Sequence, residues 1–263
     1  MKSQMMATVA GGISLTLLQM MSGVVLGPMS PALPEPPAGM FGWLVLSNLL
    51  VAGVLAWYAR RSAWTGWRLA GALFVTAWGV GTLNSLIEAH FFAIFDRPGV
   101  LPALFLRSLP PVLVFAPVMV WLSGRWSVPG AETAPAPDHG IVGWVARFAA
   151  CSATYLVLYF TAGMIIFPYV QPFYDMRALP APSTIVLLQL FLRAPIFAGI
   201  GLLIVRMAPG TRRDHALMVA VAMSILGGAA PLIIPNPFFP DAVRWVHFVE
   251  VVTSNFVFGA VVG

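Results

Sequence analysis

The stretch Thr184–Arg206, TIVLLQLFLRAPIFAGIGLLIVR, decides the class of fold. Crossing the hydrocarbon core of a bilayer takes about 20 mainly apolar residues in a helix, and this stretch has that length and character. Two polar residues interrupt it. Gln189 and Arg193 stand one helical turn apart on one face, and Pro195 follows just beyond. Seven more segments qualify as spans: roughly 7–27, 41–59, 68–93, 100–123, 141–167, 214–235 and 242–263.

Composition agrees with that reading. Hydrophobic residues make up 59% of the 263 and charged residues only 9%. Soluble domains carry about 25% charged residues, so this chain has too little polar surface to cover a water-soluble globule. The net charge of +5 comes almost entirely from arginines. They are scattered or sit at span ends and form no basic stripe, so a nucleic-acid partner is not expected. Cys151 is the single cysteine, which excludes an intrachain disulfide and a multi-cysteine metal site. Residues 1–27 look superficially like a signal peptide. No small-x-small site precedes Pro28, and the segment has a counterpart later in the chain, so it is expected to be retained as a span.

That counterpart belongs to an internal resemblance. Gly23-Val24-Val25-Leu26-Gly27-Pro28 closes the first span and Gly163-Met164-Ile165-Ile166-Phe167-Pro168 the fifth, an offset of 140. Gly53, Arg60 and Thr65 match Gly199, Arg206 and Thr211 at 146. Phe91-Phe92 matches Phe238-Phe239 at 147, and Phe105 and Phe115 match Phe248 and Phe258 at 143. Collinear matches at a nearly steady offset predict a duplication. The expected architecture is an all-α integral membrane protein of eight transmembrane helices, built as two parallel four-helix repeats. Residues 1–123 form one repeat, 124–140 a cytoplasmic linker and 141–263 the other. Four spans per repeat is an even number, which predicts a pseudo-two-fold axis along the membrane normal.

Orientation follows from the basic residues that flank the spans. One side collects Lys2, Arg60, Arg61, Arg68, Arg125, Arg147, Arg206, Arg212 and Arg213, and the other only Arg97, Arg177 and Arg244. The first side is expected to be cytoplasmic, with both termini inside, in a membrane of the bacterial inner type. The proline-rich connections 28–40 and 168–183 then face outward.

Ionisable groups within the hydrocarbon should be paired, neutralised or facing water. The candidates are Glu88, His90, Arg107, Arg193, His247 and Glu250, with Asn84, Gln189, Asn236 and Asn255 beside them. Most fall in the outward half, which predicts an outward-facing polar pocket between the halves. At the offset of 143, Arg107 matches Glu250, and the two could meet if both face the pseudo-axis, either to hold helices in register or to contact a ligand. Glu88 and Arg193 make a second possible pair. A metal held by His247, Glu250, Glu88 and His90 is not expected, because residues 88 and 90 point apart on a regular helix. The sequence leaves the cofactor unknown: His90 and His247 are the residues a haem would need, but no characteristic spacing supports one, and the thirteen methionines read as packing residues. Signatures of the common hydrolases, nucleotide-binding loops and zinc proteases are absent.

Three functions remain open. The first is a transporter or ligand-binding protein whose six candidate residues receive a small anionic or amphipathic ligand, the arginines suiting an anionic group. The second is a membrane-embedded enzyme acting on a lipid or isoprenoid. The third is a non-catalytic subunit or assembly factor with partner membrane subunits.

Overall fold

The computed structural model describes residues 2–28, 37–95, 98–127, 139–177 and 179–263. Among them eight helices are long and apolar enough to cross a membrane, and no strand occurs. In chain order they are α1 (Ser3–Leu26), α2 (Met40–Arg61), α3 (Gly66–Phe91), α4 (Val100–Leu122), α5 (Gly140–Tyr174), α6 (Pro182–Met207), α7 (Arg212–Leu232) and α8 (Asp241–Val262). Eight such helices are compatible with a polytopic membrane protein. Large apolar side chains such as Val24, Trp121, Ile141 and Met164 are exposed along them. Water would penalise that surface, whereas lipid accepts it.

The helices pack as two four-membered rings. In the first, α1 lies against α2 and α4, and α3 against α2 and α4. In the second, α5 lies against α6 and α8, and α7 against α6 and α8. The rings meet through α2 and α3 on one side and α6 and α7 on the other. Buried side chains of both, including Tyr58, Leu73, Val80, Phe197, Ile204, Met223 and Phe258, form one continuous cluster. Within lipid such contacts act through close van der Waals packing. Gly259 shows how close: a methyl group there would lie 2.6 Å from the Cα of Ala220, so only glycine lets α8 settle on α7.

Both ends of the bundle are tied. At the arginine-rich end the Arg61 and Asp214 side chains are 3.1 Å apart, Ala63 N–H donates to the Met207 carbonyl, and Ser62 Oγ donates to the same oxygen. Thr211 and Asp214 form a reciprocal capping box that starts α7. At the opposite end, Arg244 Nη1 donates to the Leu232 and Ile233 carbonyls and caps α7 from α8. The Trp43 and Trp245 rings meet edge to face there, as Trp67 and Trp126 do at the arginine-rich end.

One expectation about the spans needs correction. Pro168 does not end the fifth span. α5 runs on through Pro168 and Pro172 to Tyr174, because Ile166, Val170, Phe173 and Tyr174 pack against Phe239, Val243 and Val246 in a second small core. Membrane helices tolerate interior proline where neighbouring elements support the backbone. In α6, Pro195 is preceded by a π-helical turn at Gln189–Arg193. Similar turns occur at Gly79–Leu83 in α3 and Ala222–Ala229 in α7. Residues 29–36 and Arg97 lie outside the described residues. So does 128–138, the greater part of the expected linker.

Candidate functional site

The three π turns gather near the middle of the bundle, where Gly79–Leu83 packs against Ala222–Ala229 and Gln189–Arg193 packs against α5. A π turn inserts an extra residue and rotates the remainder of its helix, and such turns recur at functional sites. Here they set Asn84, Gln189 and Arg193 facing one another. Arg193 Nε donates to Asn84 Oδ1 at 2.8 Å, and Nη1 donates to Gln189 Oε1 at 3.1 Å and Glu88 Oε1 at 2.7 Å. The Arg193 side chain is 7% exposed and that of Glu88 32%. The carboxylate therefore neutralises a nearly sealed guanidinium while keeping one edge open. Irregular backbone in α7 is satisfied from α8, where Asn255 Nδ2 donates to the Met223 carbonyl.

Above this network, toward the end opposite the arginine-rich one, lies a cavity of about 310 Å³. Ligand sites commonly range from about 300 to 1,000 Å³. α3 contributes Ser85 and Glu88, α4 Leu104, α5 Tyr155, Tyr159 and Tyr174, and α6 Arg193. α7 contributes Gly227 and Pro231, and α8 His247, Glu250, Ser254 and Asn255. Most walls thus come from residues 141–263, with α3 and Leu104 closing the remainder. Phe92, Phe95, Phe238 and Phe239, from the two connections at that end, also line the cavity. The Phe95 and Phe238 rings meet edge to face at 4.9 Å.

One wall carries a hydrogen-bonded chain. His247 Nδ1 is 2.7 Å from Glu250 Oε2, and Nε2 is 2.9 Å from the Tyr174 hydroxyl. With a neutral imidazole, Nδ1–H donates to the carboxylate and Nε2 accepts from Tyr174. With an imidazolium, Nε2–H donates to the hydroxyl oxygen. The carboxylate orients the ring in either case. The spacing of three residues on α8 brings His247 and Glu250 together.

Of the six candidates from the sequence, Glu88, Arg193, His247 and Glu250 line this cavity. Arg107 and His90 do not. Arg107 lies between α1 and α4, beside Gly27, with Ser22 Oγ donating to its carbonyl. It does not meet Glu250, whose carboxylate faces His247. The rings join through α2, α3, α6 and α7, so equivalent positions on α4 and α8 are not brought to a shared seam. His90 is exposed at the end of α3, its ring against Phe91. Among the described residues no group of three or more His, Cys, Asp or Glu side chains is placed to hold a metal ion.

The three tyrosines of the cavity are not among the candidates from the sequence. Tyr155 and Tyr159 are four apart on α5 and so share a face, a pattern that could have marked them. Tyr174 falls beyond Pro168, where the sequence alone places a loop. No known family matches the chain, and no characterised protein or solved structure matches it.

Proposed function

We propose that this protein is a transporter or ligand-binding membrane protein that takes a small amphipathic molecule into the cavity above Arg193. One observation carries the reading: Glu88, Arg193, His247 and Glu250, from three different helices, converge on a single aromatic-lined cavity rather than dispersing toward the headgroups. Polar groups this deep in a bilayer are costly and tend to mark ligand or ion paths. The cavity chemistry favours a particular ligand. The only arginine among its described lining residues is engaged by Glu88, Asn84 and Gln189, and a second carboxylate, Glu250, also lines the cavity. An anionic group therefore has no open cation to meet. A ligand with a hydrogen-bond-donating or cationic head and an apolar body suits the two carboxylates and the tyrosine and phenylalanine walls.

The pairing of two similarly packed rings is consistent with two parallel repeats about an axis along the membrane normal. In that arrangement the cavity opens outward, opposite a cytoplasmic arginine-rich end in an inner-type membrane. The test is untargeted mass spectrometry of small molecules that co-purify with the protein. The wild-type chain should carry a compound of this class that Ser254→Trp, which fills the cavity, does not. Identical profiles from both would defeat the proposal.

The Glu250–His247–Tyr174 chain favours a second reading, a membrane-embedded enzyme. A carboxylate-oriented imidazole beside a phenol can move a proton to or from a bound substrate. A product that appears with the wild-type protein and vanishes with His247→Gln, while the compound still binds, would select the enzyme over the carrier.

A further inference from the structure

A second cavity lies at the other end of the second ring. Its volume is about 1010 Å³, and it separates the first half of α5 from α6 and from the adjoining ends of α7 and α8. It exists because α5 is anchored unevenly. Val170 and Phe173 are buried against α8, whereas Ile141, Val142 and Val145 at the other end are largely exposed. The helix leans on the bundle at one end and leaves a groove at the other.

The groove has two chemically distinct parts. Arg147, Arg206, Arg212 and Arg213 ring its arginine-rich end, together with Trp144 and His215. Its remainder, which includes Phe148, Ala150, Ala198, Leu202, Val205 and Val261, is apolar and runs into the span. No Asp or Glu is among the described residues that line it.

Charge placement for topology does not by itself explain this cluster. Arginines at the same end of the first ring are engaged within the protein. Arg60 donates to Ser3, Arg61 pairs with Asp214, Arg125 donates to the Ser62 carbonyl, and Arg68 stacks on Trp64 at 3.9 Å. Around the groove, Arg206 meets only the Trp144 face, at 5.9 Å, among the described residues. Arg147, Arg212 and Arg213 form no hydrogen bond or ion pair there with a described residue. Four guanidinium groups share one recess without a carboxylate among its described lining side chains.

We propose that this groove seats an anionic membrane phospholipid. Its phosphate group would lie among Arg147, Arg206, Arg212 and Arg213, and an acyl chain along the apolar wall between α5 and α6. Guanidinium forks match phosphate oxygens and bind them with charge-assisted hydrogen bonds. Basic recesses between spans are a recurrent place for such headgroups. The apolar floor continuing from the cationic rim selects a lipid over a free anion. The occupant would fill a gap that protein contacts leave open and fix α5 to the rest of its ring. This site is separate from the cavity above Arg193, and either can exist without the other.

Native mass spectrometry of the detergent-purified protein, offered equal amounts of phosphatidylglycerol and phosphatidylcholine, tests the proposal. The wild-type chain should retain one phosphatidylglycerol at least tenfold in preference to phosphatidylcholine. Arg147→Gln combined with Arg206→Gln should abolish the preference, and Arg68→Gln, outside the groove, should preserve it. Ala150→Trp, at an exposed position on the groove wall, keeps every charge and should still expel the lipid. Equal retention of both lipids by the wild type would overturn the proposal, as would retention of phosphatidylglycerol by Ala150→Trp. Displacement of the lipid by millimolar inorganic phosphate would also overturn it, by showing a site for a free anion.

Discussion

Arg193 Nη1 lies 2.7 Å from Glu88 Oε1 across the gap between α6 and α3, and this ion pair joins the two rings at the floor of the cavity. The pair is asymmetric. The guanidinium is sealed inside the bundle and the carboxylate faces the cavity with part of its surface. Removing Glu88 therefore strands a buried charge, whereas removing both partners does not.

Glu88→Ala should destabilise the protein by about 3 kcal/mol, the lower part of the range for breaking a buried pair, because Glu88 is partly exposed. The double change Glu88→Ala with Arg193→Met should cost about 0.5–3 kcal/mol less than the sum of the single changes, the size of coupling measured for contacting groups. Thermal unfolding of the four proteins in one detergent closes that cycle. Additive losses would show that the two side chains do not interact.

Arg107 and Glu250 should behave independently. One lies beside Gly27 between α1 and α4, the other against His247 on the cavity wall. The losses from Arg107→Ala and Glu250→Ala should add to within about 0.5 kcal/mol, as they do for separated sites. A double mutant more stable than the worse single mutant would restore a direct pairing. In a binding assay with the co-purified compound, only Glu250→Ala should weaken retention.

The Ala220–Gly259 approach should be sensitive to size alone. Gly259→Leu drives a side chain into the α7 backbone and should cost about 1–3 kcal/mol or more, as overpacking does. Gly163→Leu, at a position with open space around it, should be nearly neutral by the same unfolding measurement.

Orientation can be read chemically. In a Cys151→Ala background, Met176→Cys lies at the end opposite the arginines and Ser127→Cys at the arginine-rich end, and both positions are exposed. A membrane-impermeant maleimide added to intact cells should label Met176→Cys and spare Ser127→Cys. The reverse pattern would place the cavity mouth on the cytoplasmic side.

Much of the fold was legible because lipid imposes a simple demand: long apolar helices separated by short connections. Helix boundaries from sequence and structure differ by a few residues in seven of the spans. The eighth case, α5, departs further because proline ends helices more readily in water, while Val170 and Phe173 hold this helix together past Pro168. In the site, the Glu88–Arg193 pair was foreseeable, since two opposite charges at similar depth in hydrocarbon must find partners. The displacement of Arg107 was not. Matching Arg107 with Glu250 assumed that the rings meet along α4 and α8, and helix order does not specify which faces join. The π turns were equally hidden. They arise where Pro195 and Pro231 remove backbone donors and where Gly79, Gly227 and Gly228 permit close contact, a tertiary outcome that local spacing does not encode.

A ligand in the aromatic cavity above Arg193 would show in an experimental density map of the protein purified into nanodiscs with its native lipids. Non-protein density should be bounded by Glu88, Tyr159, His247 and Glu250, with its polar end at the carboxylates. A well-resolved map in which Phe95, Phe238 and the three tyrosines close that space, leaving no room for a ligand, would contradict it.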